Sequence, residues 1–134
     1  KFLLGGDPIQ VGQIDLQLVS EGVGATFDAE GLSRVFEVSR GARLRLTSLT
    51  LASGGFLGTT SGGGAIATSG SSVEMIHCKV VNSDGGGSGG ALYVVGGLLL
   101  LFKSSVVNST SQHYAGAIAA SSNATIMLTG GSSI

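Results

Sequence analysis

Eight carboxylates, seven cations, two histidines and one cysteine are the acids, bases and thiols of the side chains in this 134-residue chain. Hydrolysing a sugar polymer needs two acids close enough to divide acid and base work, calcium wants several oxygen ligands together, and a lyase can use an Arg or Lys base on one strand face. Asp7, Asp15, Asp28 and Asp84 are far apart along the chain, and the nearest acidic pair is Asp28 and Glu30 in "FDAEG". A polar turn explains that pair more simply than a catalytic or calcium site. No residue is assigned a catalytic, metal-binding or cofactor-binding role.

The cations are less evenly spread. Arg34, Arg40, Arg43 and Arg45 place four of the seven within twelve residues. Arg43 and Arg45 flank Leu44, so on a strand both point outward from one face. Arg40, Arg43 and Arg45 are therefore the candidate face for an anionic ligand, a glycan or a protein partner. The structural alternative is a cross-strand ion pair between Arg45 and Glu74, which contributes roughly 0.2–1 kcal/mol. His77 and Cys78 are adjacent; as strand neighbours they point to opposite faces, which predicts an exposed His and a buried Cys rather than a metal site. Tyr93 and Tyr114, with no Trp, make a thin platform for sugars. Asn108-Ser109-Thr110 and Asn123-Ala124-Thr125 match the N-glycosylation acceptor pattern. A stacked Asn108 would accept poorly, which leaves Asn123 the better acceptor.

Bulk composition narrows the field. A net charge of −1 gives no footprint for nucleic acid or an anionic membrane. The longest apolar run, Gly96 to Phe102, is far shorter than the roughly 20 residues that span a bilayer. "GGGSGG" and "GGGAI" lack the Gly-Lys-Ser/Thr of a phosphate loop. One cysteine permits no internal disulfide. The opening "KFLLGG" lacks the features of a signal peptide, and the chain reads as a processed product or a piece of something longer.

The elements that position these residues come from a repeat. Gly64-Ala65-Ile66 returns as Gly90-Ala91-Leu92 and as Gly116-Ala117-Ile118, 26 residues apart each time. Asn82 and Asn108, Ser83 and Ser109, and Val80 and Val106 keep the same interval. With small slips, Leu44 falls over Val73, Leu46 over Met75 and Leu51 over Val80. Short alternating runs of Val, Leu, Ile and Thr, joined by Gly, Ser and Asn, read as strands and turns. Nowhere is there a sustained helical pattern. The expectation is an all-β, right-handed parallel β-helix of about five coils, roughly 20–25 Å long at about 4.8 Å per coil. Ile66, Leu92 and Ile118 should form one inward ladder and Val73, Leu99 and Ile126 another. Leu98 to Leu101 are all apolar and leave both registers open. Residues 1–12, with the only proline, read as a lead-in or cap, and 13–134 as the helix.

The phrases "ATFDAEGLSRVFEVSRGARLRLTSLTLASGG" (25–55) and "SGGGAIATSGSSVEMIHCKVVNS" (61–83) resemble right-handed parallel β-helix repeats of pectin-lyase-like proteins. The nearest branch has polymorphic outer-membrane repeats, with Gly-Gly-Ala-Ile and a trailing Asn. The similarity covers roughly 13–134; it departs in having Val-Val-Asn where many members carry a Phe before the Asn. The resemblance implies surface or secreted proteins such as adhesins, autotransporter passengers and cell-wall proteins, and in other branches polysaccharide lyases and hydrolases. The resulting expectation is a non-enzymatic structural or interaction module, extracellular or at the cell surface, with the lumen of an organelle, as part of a larger complex, as the alternative. A carbohydrate-active enzyme remnant or a glycan-binding module is the competing reading. No cofactor is expected. Because "LTGGSSI" breaks off in mid-coil, the C-terminal coil is expected to be covered by more of its own chain, by another subunit or by a second copy.

Overall fold

The computed structural model describes residues 1–55 and 62–134; Ser61, the first residue of the second repeat phrase, lies outside them. The described residues form thirteen strands and no helix. They wind into a parallel β-solenoid of about five turns, with a repeat of about 27 residues. The first coil holds β1 (Phe2–Leu3), β2 (Ile9–Gly12) and β3 (Asp15–Val19); the second holds β4 (Ala25–Asp28), β5 (Phe36–Ser39) and β6 (Arg43–Thr47). The third holds β7 (Leu49–Ala52) and β8 (Ile66–Ile76), and the fourth β9 (Lys79–Val81) and β10 (Leu92–Phe102). The fifth holds β11 (Ser105–Val107), β12 (Ile118–Ser121) and β13 (Thr125–Thr129). Residues 1–12 thus contain two strands, and β1 and β2 pair in parallel with β4 and β5.

Stacking produces two sheets. The short strands β1, β4, β7, β9 and β11 make one, and the remaining eight make the other. In the larger sheet β8 and β10 run unbroken for 11 residues, whereas the other coils divide the same path between two strands. The dividing corner is a column of left-handed residues: Gln13, Arg40, Gly70, Gly96 and Ser122 have φ of 59°, 58°, 57°, 63° and 55°. That conformation disfavours the Cβ of Gln13, Arg40 and Ser122 and suits Gly70 and Gly96, which have none.

The predicted ladders are present. Ile66, Leu92 and Ile118 are register partners, as are Val73, Leu99 and Ile126. Leu44 and Leu46 sit under Val73 and Met75, and Leu51 under Val80. Leu99 and Leu101 point inward and Leu98 and Leu100 outward, which fixes the register that the apolar run left open. The core is one continuous column of Leu, Val, Ile, Met and Phe36, with Cys78 inside it. At the "GGA" corner, a Cβ on Gly90 would strike the carbonyl oxygens of Gly116 and Thr110, so the repeated glycine is a matter of space. Among the described residues no helix is long and apolar enough to cross a membrane.

Candidate functional site

Strand alternation sends one set of side chains to the outer face of the larger sheet. There the columns read Asp15, Arg43, Ser72, Leu98, Thr125 and, beside it, Gln17, Arg45, Glu74, Leu100, Met127. Arg43 and Arg45 are both exposed, side by side on β6. Arg45 Nε donates to Glu74 Oε2 at 2.8 Å, the cross-strand pair that the spacing predicts. Among the described residues no hydrogen bond or ion pair holds the Arg43 guanidinium. Two shallow furrows meet at these arginines, about 230 Å³ toward Asp15 and Gln17 and about 240 Å³ toward Ser72, Leu98 and Leu100. Arg40 is not on this strand: it occupies the left-handed corner between β5 and β6, exposed.

Arg34 departs from the arginine cluster altogether. It is 7% exposed. Its Nε donates to the Gly63 carbonyl at 3.2 Å, Nη2 to that of Gly62 at 3.1 Å, and Nη1 to Glu37 Oε1 at 2.7 Å. Burial pulls its pKa down, and Glu37 opposes the shift. Coils three and four join at this corner through backbone bonds, Gly63 N–H to Gly89 O and Gly64 N–H to Gly90 O. Between coils two and three the Val35 and Phe36 N–H groups donate to the Ala65 carbonyl, and the guanidinium takes the two glycine carbonyls beside it. Counting cations could not find this role; a bare triple-glycine corner on the neighbouring coil is the signal that points to it. Arg34 and Glu37 also line a groove of about 330 Å³, together with Gln10, Ser39, Ser69 and Tyr93.

The remaining candidates separate. Asp28 Oδ2 pairs with Lys1 at 2.7 Å and its Oδ1 accepts from the Glu30 N–H at 2.9 Å. The hydrogen bond from Lys1, followed by that of the Glu30 backbone, holds the Asp28 carboxyl below its usual range. Asp84 Oδ1 accepts from the Gly86 N–H at 3.0 Å, closing a turn of its own. His77 and Cys78 have the expected exposures, but they are corner residues rather than strand neighbours, with His77 at φ 52°. The Cys78 thiol faces the Leu46 and Ile76 carbonyls, 3.4 and 3.3 Å away, and burial raises its pKa. His113 and Tyr114 are exposed in the last corner, while Tyr93 is half-buried on β10. Asn108 Nδ2 donates to Asn82 Oδ1 at 2.7 Å in a stacked left-handed corner, whereas Asn123 is exposed in the turn before β13.

In comparisons with known proteins, no family model matches this chain, and no curated protein or solved structure matches it. The chain itself displays a parallel β-solenoid of about five turns.

Proposed function

We propose that this chain is a non-enzymatic β-helical module, structural or interactive, that presents its side faces to protein partners. One observation carries the reading: polar side chains that could do chemistry are engaged in joining one coil to the next. Arg45 with Glu74, Lys1 with Asp28, Gln10 with Glu37, Asn108 with Asn82, and Arg34 with the Gly62 and Gly63 carbonyls all bridge coils. Such a stack is stiff, and the cations left over, Arg43 above all, face outward from it. The Gly-Gly-Ala-Ile and trailing Asn phrases fit the pectin-lyase-like branch with polymorphic outer-membrane repeats, which favours work at the cell surface or outside the cell. The lumen of an organelle, within a larger complex, is the alternative setting.

The test is turnover. The protein, incubated with pectate, alginate and hyaluronate, with and without calcium, should release no unsaturated uronate and no reducing ends. Products that disappear in Glu37→Gln would replace this reading with a carbohydrate-active enzyme. A glycan-binding module is the second reading, favoured by the groove where Tyr93 lies near the Arg34–Glu37 pair. A glycan array with wild type and Tyr93→Ala, and with Arg43→Gln for the other face, decides it.

A further inference from the structure

The outer face of the larger sheet changes character along the axis. In its two central outward columns the first three coils show Asp15, Gln17, Arg43, Arg45, Ser72 and Glu74, and the last two show Leu98, Leu100 and Met127 with the polar Thr125 at the edge. Phe102 lies in the next outward column, stacked on Ile76. Lys103 Nζ stands 5.4 Å from the Phe102 ring centre, and His77 meets the ring edge-on. Met127 is 46% exposed, and the others are half-buried.

An unbroken run such as "LLLLF" is the pattern of a parallel strand covered on both faces, because in parallel sheets helices lie over the side that is not core. Here the inner side is core, and no described residue lies over the outer side as a helix. An aliphatic, aromatic-flanked patch with a polar rim marks a place where something docks. We propose that the outer face of β10, with Ile76 and Met127 beside it, is the seat of an amphipathic α-helix of a partner protein that runs along the solenoid axis and sets an acidic side chain on Arg43. This inference rests on the reading of the chain as an interaction module and names the partner's chemistry.

The geometry selects a helix. A lone extended segment laid across side chains would find no backbone partners on the aliphatic patch, and burying unpaired N–H and C=O groups is costly. A helix satisfies its own backbone. Its turn of about 5.4 Å nearly equals the coil spacing of about 4.8 Å, so one side of it can follow the coils step by step. Arg43 is two coils from Leu98, about 10 Å, the rise between positions i and i+7 of a helix. The partner's signature is therefore an acid at i, small or apolar residues at i+3 and i+4, and large apolar residues at i+7 and i+11. Arg43 has no carboxylate to satisfy it among the described residues, whereas Arg45 has Glu74. An anionic lipid surface fits worse, because Glu74 and Asp15 lie on the same face. A glycan would prefer aromatic rings to leucines.

The experiment uses two lactam-bridged helical peptides of about 18 residues with leucines at i+4, i+7 and i+11. One carries Glu at i, the other Lys. Fluorescence anisotropy on the full chain should show saturable binding of the Glu peptide, at least about tenfold tighter than the Lys peptide. Arg43→Glu should invert that preference. Leu100→Ser should abolish binding while the melt stays near wild type, and Leu98→Ser supplies the same readout if Leu100→Ser melts early. Asn108→Ser, in a corner away from the face, should change nothing. No saturable binding, equal binding of both peptides, or undiminished binding by the serine variants overturns the inference. If the Glu peptide fails while uronate polymers stay uncut, only the partner helix is lost and the non-enzymatic reading stands.

Discussion

Coils four and five carry the same inward chemistry in the same register, yet they do not share the same burial. Leu99 and Leu101 of β10 are 1% and 0% exposed. Their partners on β13, Ile126 and Leu128, are half-buried and 45% exposed. The residue types are nearly identical; the difference is that β10 has β8 on one side and β12 with β13 on the other. A position in a solenoid is made a core position by its two neighbouring coils, not by its own side chain. Energies should therefore peak in the middle coils and fall outward along a single ladder.

The largest effect expected from that gradient is at Val73, 1% exposed between Leu44 and Leu99. Val73→Asp leaves an unpaired carboxylate in hydrocarbon, and a loss of about 4 kcal/mol or more in urea unfolding is expected. A melt within a degree or two of wild type would break the inward assignment. Leu101→Ala should cost about 2–5 kcal/mol as a core truncation, and Leu128→Ala, one coil on, less than about 1 kcal/mol. Equal losses at the two would mean that the fifth coil is covered in solution. Arg34→Ala removes the donors at Gly62 and Gly63 and should cost about 2–3 kcal/mol. Hydrogen exchange should then show the amides of β5 and the first half of β8 opening together, ahead of β10.

The smallest effect is electrostatic. Asp28 has its pKa held below the ordinary 3.8 by Lys1 and by the Glu30 N–H. A carboxyl depressed in the folded state adds stability that is complete above the unfolded value and is lost as pH falls through the folded one. Asp28→Asn should therefore melt slightly below wild type near neutral pH. The two should converge in strong acid, once Asp28 is protonated. A gap that persists there would assign the effect to the turn itself.

The fold was legible because different residue types share one interval. Gly64, Ala65, Val80 and Asn82 each return 26 residues on, and the side chains that recur are those that a solenoid needs at corners and ladders. Where the interval slips, as between Leu44 and Val73, alternation still fixed the register. It failed at Leu98 to Leu101, where both faces are apolar and period two disappears; only the pairing with Val73 and Met75 decides which leucines face in. The arginines divided for the same reason. Arg43 and Arg45 flank an inward Leu and could be placed by alternation. Arg34 sits in a corner, where alternation says nothing; besides Glu37 its partners are the Gly62 and Gly63 carbonyls, and the triple-glycine run that supplies them is the one sign in the sequence.

The corner columns have one more consequence, for how such a chain can change length. Register partners are 24 residues apart between Phe27 and Leu51, 26 between Ile66 and Leu92, and 30 between Phe36 and Ile66. The ladders keep their register through that variation. Deletion or duplication at a corner keeps every side chain on its own face. A single residue added inside β8 would turn Val73 and Met75 outward and Glu74 inward at once. Splicing a reporter loop into the Gly85–Gly89 corner and a one-residue insertion after Ser72 would compare the two directly, with the first folding and the second not.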